Sequence, residues 1–154
     1  MTKEERISRA TELFKSGYNC SQSVVAAFAD MYGFTEEQAL RMAASFGGGI
    51  GRMRETCGAA CGMFLLAGLE KGAIDGADRE GKAANYALVQ ELAEEFKRRN
   101  GALRCADLLG LSKKEPVIST PEARTEQYYA KRPCVKMVEE AAKIWSEYLE
   151  MHKK

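Results

Sequence analysis

Apolar residues recur at intervals of three and four along most of the chain, and nowhere do they alternate with polar ones over the length of a strand. Ile7, Ala10, Leu13 and Phe14 share one helical face behind a capping box of Thr2 and Glu5, and Gly17 ends that segment. After "GYNC", the run "SQSVVAAFADMYG" predicts one helix through Val24, Val25, Phe28 and Met31, closed by Gly33. Thr35 and Gln38 box a third helix ahead of Leu40, Met42, Ala43 and Phe46, and "GGGIG" then interrupts the period. It resumes from about Cys57 to Lys71, and again from Asp78 to Asn100 with Ala84, Leu88, Leu92 and Phe96 in register. "CADLLG" predicts a short helix, and Thr120 before Pro121 reads as a cap with proline at the first helical position. The last helix begins near Cys134 and turns Val135, Val138, Ala142, Trp145 and Leu149 inward, while residues 111–120 are left as an ordered loop. The expectation is an all-α, single-domain helical bundle over 1–154, with six to seven helices and short connections.

Composition narrows the classes of function. A chain of 154 residues, 45% hydrophobic and 29% charged, suffices for a core without metal or disulfide staples. Its 23 basic and 22 acidic residues leave a net charge of +1, so nothing draws it broadly to nucleic acid or anionic lipid. The N-terminal "MTKEERISRA" has no apolar stretch of the signal-peptide kind, and "AACGMFLLAGL" is too short to span a bilayer. A cytoplasmic location without membrane partners is expected, where five cysteines would be kept reduced.

The cysteines change the picture most. Cys20, Cys57, Cys105 and Cys134 each fall at a predicted helix start. Unpaired amide N–H groups and the positive end of the helix dipole favour a thiolate there, the form that attacks disulfides and binds metals. These four residues are therefore candidate catalytic thiols and equally candidate metal ligands. Cys57, behind Thr56 and near Arg52 and Arg54, is the expected most reactive thiol, its pKa lowered by their charge, although both arginines also read as solvated surface residues. Buried cysteine also serves as a small hydrophobe, and Cys61, between Gly58 and Gly62, is read as packing. The Cys57–Cys61 spacing is C-x-x-x-C, unlike the C-x-x-C of thioredoxin-like and zinc-ribbon sites.

Gly48, Gly49 and Gly51 allow two readings: a tight backbone connection, or a cradle of N–H groups for a cofactor, cluster or anion. No P-loop or dinucleotide fingerprint is present. The single histidine, His152, lies at the end of the last helix, so a metal site would be mainly thiolate, suited to zinc or an iron–sulfur cluster.

"GYNCSQSV" at 17–24, "FGGGIGRMRETCGAACG" at 46–62, "CADLLG" at 105–110 and "RPCVKMVEEAA" at 132–142 resemble, in order, the redox-active family named for its C, GCAxxG, C, C cysteine pattern. Its central Cys-Gly-Ala-x-x-Gly is matched by Cys57, Gly58, Ala59 and Gly62, and its other cysteines by Cys20, Cys105 and Cys134. Cys61 falls on a variable position. The resemblance implies a redox function in which the four thiols act as one unit, by thiol–disulfide exchange or electron transfer with a redox partner protein or a small-molecule oxidant or reductant. The alternative is a cysteine-ligated metal or iron–sulfur module.

Overall fold

A computed structural model describes residues 1–111 and 116–153. Among these residues the fold is all-α, with eight helices: α1 (Lys3–Lys15), α2 (Cys20–Ala26), α3 (Glu36–Ala43), α4 (Gly58–Lys71), α5 (Arg79–Asn100), α6 (Cys105–Leu108), α7 (Glu126–Lys131) and α8 (Cys134–Met151). The one extended feature described is an isolated antiparallel bridge between Thr56 and Arg104. Among the described residues, no helix is long and apolar enough to cross a membrane.

Helix α4 sits at the centre because its sequence is apolar and small on several sides. Ala59, Ala60, Met63, Leu66 and Ala67 are all fully buried. Helices α2, α5 and α8 pack around it, and α1 lies against α2 and α8. Phe14, Phe28, Phe96 and Trp145 fill the spaces between them in one continuous core. Close approach of α2 depends on glycine. A Cβ on Gly58 would meet the Phe46 carbonyl oxygen at 2.9 Å and Cys20 Cβ at 3.3 Å, and one on Gly62 would meet Val24 Cβ at 2.8 Å. The two glycines are one helical turn apart, on the side of α4 that faces α2.

Three expectations need correction. The run from Cys20 to Gly33 is not one helix: α2 ends at Ala26, and Ala29–Tyr32 forms a separate 3₁₀ turn. Arg6 stabilises the break by donating to the Ala27 carbonyl at 2.9 Å and to Asp30, with its guanidinium 5.6 Å from the Phe28 ring centroid. Pro121 does not open a helix. The next one starts at Glu126, where Thr125 accepts from the Tyr128 N–H, and the Thr120 carbonyl instead accepts from Arg52. Ala84 is exposed although Leu88, Leu92 and Phe96 are buried, so the inward face of α5 begins a turn later than its period suggests. Within the expected loop 111–120, residues 112–115 lie outside the described residues, and the remainder is non-helical.

Candidate functional site

Each of the four candidate cysteines stands at a helix start. Cys20, Cys105 and Cys134 are the first residues of α2, α6 and α8, and Cys57 immediately precedes α4. Two local devices hold three of them there. Asn19 caps α2 by accepting from Gln22 N, while its amide donates to the Ala44 carbonyl and ties the helix start to the 3₁₀ turn (Ala44–Phe46) that leads into the glycine-rich loop. The backbones of 54–57 and 103–106 run antiparallel: Cys57 N–H donates to Leu103 O at 2.8 Å, and Cys105 N–H donates to Glu55 O at 2.6 Å. Thiols 48 positions apart in sequence thereby share one short pairing.

All four cysteines line a single cavity of about 420 Å³. Cys61 does not; its thiol turns back to the Thr56 carbonyl at 3.8 Å and it is buried, as the packing reading expected. Gly48, Gly49 and Gly51 also line the cavity. From Gly48 to Arg52 the backbone is left-handed at every residue, with φ of 67°, 75°, 64°, 57° and 61°, and Arg54 follows at 62°. Three of these are not glycine, and the left-handed conformation costs such residues about 1–2 kcal/mol each. The carbonyl groups of Gly48 and Gly49 accept from the Arg54 and Glu55 N–H groups, which closes the loop upon itself. Gly49 is also required sterically, since a Cβ there would lie 2.6 Å from Cys105 Cβ. At Gly49, therefore, the observed function of glycine is to let the loop lie against a cysteine.

The environment divides the thiols. Cys20 and Cys134 are linked in their ionisation: a hydrogen bond from the Cys20 thiol to ionised Cys134 pushes the Cys20 pKa well above the ordinary value, and burial adds to this. The same bond draws Cys134 down to about 7, against burial, with Arg132, Arg124 and Arg54 contributing further. Burial pushes Cys57 up to about 12, although the N–H groups of Ala60 and Ala59 pull the other way. The expectation that the helix start and the arginines lower the Cys57 pKa is thus corrected. A helix start does not offset desolvation of a thiolate there, and the neighbouring arginines are committed elsewhere. Arg54 donates to Cys105 Sγ at 3.7 Å, and Arg52 to the carbonyls of Ile118 and Thr120. Burial still leaves Cys105 raised, with Arg54 opposing it.

Arg124, Arg132 and Tyr128 also line the cavity and were not singled out in the sequence. Arg132 stands two residues before Cys134 in "RPC", a legible hint; Arg124 gave none, since its place follows from donating to Phe14 O at 2.9 Å and Tyr18 O at 3.0 Å across the fold. The four sulfurs share the cavity wall, but among the described residues no three His, Cys, Asp or Glu side chains stand close enough together to hold one metal ion.

No curated protein and no solved structure matches the chain. The sequence model of the family described as "Putative redox-active protein (C_GCAxxG_C_C)" matches residues 18–148, a span that contains every cysteine lining the cavity. The chain belongs to the C_GCAxxG_C_C family.

Proposed function

We propose that this protein carries out thiol–disulfide exchange, with Cys134 as attacking thiolate and Cys20 as resolving thiol. The observation that carries this reading is that Cys20 and Cys134, at the heads of α2 and α8, line one cavity; their mutual influence, which favours the Cys134 thiolate near neutral pH, supports it. The chemistry is balanced as follows. The Cys134 thiolate attacks one sulfur of a disulfide and expels a thiolate, leaving a mixed disulfide. Cys20 then attacks Cys134 Sγ, its proton passes to the second leaving sulfur, and the protein holds a Cys20–Cys134 disulfide. Two electrons have moved from protein to substrate.

Cys57 and Cys105 line the same cavity and supply a second pair of thiols, both raised by burial. The partner is a protein or small-molecule disulfide.

The test is anaerobic purification, metal analysis, and titration against a dithiol/disulfide buffer with thiol counting. The expected result is a metal-free protein that loses two thiols in one two-electron step, a step absent in Cys20→Ser and Cys134→Ser. Stoichiometric iron with visible charge-transfer bands, or stoichiometric zinc bound by these thiols, would replace this reading with the cysteine-ligated metal module.

A further inference from the structure

The cavity that holds the thiols is strongly unbalanced in charge. Its wall carries the guanidinium groups of Arg52, Arg54, Arg124 and Arg132, and one carboxylate, Glu122. Arg52 and Arg132 both pair with that carboxylate. Arg124 is fixed without an acid, by two backbone carbonyls and by the faces of Phe14 and Tyr128, 4.3 Å and 5.0 Å from its guanidinium carbon. Arg54 reaches a sulfur. The cations also face one another: Arg52 has its pKa lowered first by burial and then by Arg54 and Arg132. Ionising Cys134 leaves the wall positive.

A second cavity, of about 260 Å³, lies behind the same residues. Arg52, Arg54, Glu122 and Arg132 border both spaces, and Arg104 and Asp107 complete the charged lining of the second. Three arginines and Glu122 are thus wall residues common to the sulfur-lined chamber and the smaller one. Holding like charges together in partly buried positions is costly unless an anion joins them. Planar guanidinium groups suit carboxylates in particular.

We propose that the substrate is a small disulfide bearing carboxylate groups, its sulfurs against Cys134 and its carboxylates against the positive wall that Arg54 and Arg124 form beside the Glu122-paired Arg52 and Arg132. The inference rests on the dithiol reading above and deepens it. Positive wall charge acts at two points: it concentrates the anionic disulfide, and it stabilises the anionic thiolate that leaves.

The experiment uses the full-length reduced protein and three disulfides of similar size and opposite charge: dithiodiglycolate, neutral bis(2-hydroxyethyl) disulfide, and cationic cystamine. Each rate of protein oxidation, followed by quenched thiol counting, is divided by the rate of the same disulfide with 2-mercaptoethanol, which removes differences in intrinsic reactivity. The expected order is dianion, neutral, dication, with the dianion favoured over the neutral compound by at least about tenfold at low salt and the preference shrinking as salt is added. Arg54→Gln should reduce the dianion-to-neutral ratio about threefold or more, a ratio from which any change in the nucleophile itself cancels. Equal normalised rates for all three, or a preference for cystamine, would overturn the inference and leave the dithiol reading standing. Failure of all three to oxidise the protein would overturn both.

Discussion

Arg54 Nη1 stands 3.7 Å from Cys105 Sγ, and the backbone carbonyl of the same arginine accepts from Ala106 N–H at 3.2 Å. One residue thus both aligns the segment that carries Cys105 and places a positive charge on its sulfur. Removing the charge alone, by Arg54→Gln, should raise the Cys105 pKa further. Peptide-resolved alkylation at pH 8 should show Cys105 labelling slowed about threefold to tenfold, the effect of half to one pKa unit, with Cys61 labelling unchanged.

Cys134 is drawn down to about 7 chiefly by the hydrogen bond it receives from Cys20. Because a lowered thiol pKa favours the ionised form, labelling by iodoacetamide should contain one fast phase whose rate rises as pH climbs through about 7 and then levels off. Cys134→Ser should delete that phase. Cys20→Ala should move its midpoint upward, towards the ordinary thiol value, because the donor is lost. A midpoint unmoved by Cys20→Ala would mean that the arginines, not Cys20, set the ionisation.

The glycines of the Cys57 motif have a packing role that can be separated from chemistry. Gly58→Ala and Gly62→Ala each place a methyl group against α2 or the Phe46 carbonyl and should cost about 1–3 kcal/mol in urea unfolding. Gly68, on the same helix, has open space where a Cβ would sit, so Gly68→Ala should be neutral or stabilising by up to about 1 kcal/mol. Equal effects at all three positions would contradict the close approach of α2 and α4.

Cys61 lies outside the cavity, so Cys61→Ala should leave both the two-electron oxidation and its midpoint potential unchanged. Unfolding should shift by no more than about 1 kcal/mol, since a single small buried group is removed. A changed electron count would return Cys61 to the working set.

The helical period and its punctuation placed α4, α5 and α8 within a residue or two, because capping residues and glycine stops act locally. It failed where distant contacts decide. The break after Ala26 depends on Arg6 reaching the Ala27 carbonyl, and the strap at 116–125 is held by Arg52 and Arg124, 66 to 110 residues away from their acceptors. The positions of four cysteines at helix starts were legible for the same local reason. Their ionisation was not. Proximity to a helix start and to Arg52 and Arg54 marked Cys57 as the most reactive thiol with a lowered pKa, but its burial in the main core dominates. The arginines that charge the cavity come from two separate stretches of chain, and no spacing within either one reveals that they meet.

The most direct measurement is disulfide mapping. Metal-free reduced protein is treated with one equivalent of a small disulfide, trapped in acid, digested without reduction and analysed by mass spectrometry. The account predicts a single intramolecular link between the peptides carrying Cys20 and Cys134, with Cys57, Cys61 and Cys105 still alkylatable. A dominant link involving any other pair, or oxidation that leaves Cys20 and Cys134 free, would contradict it.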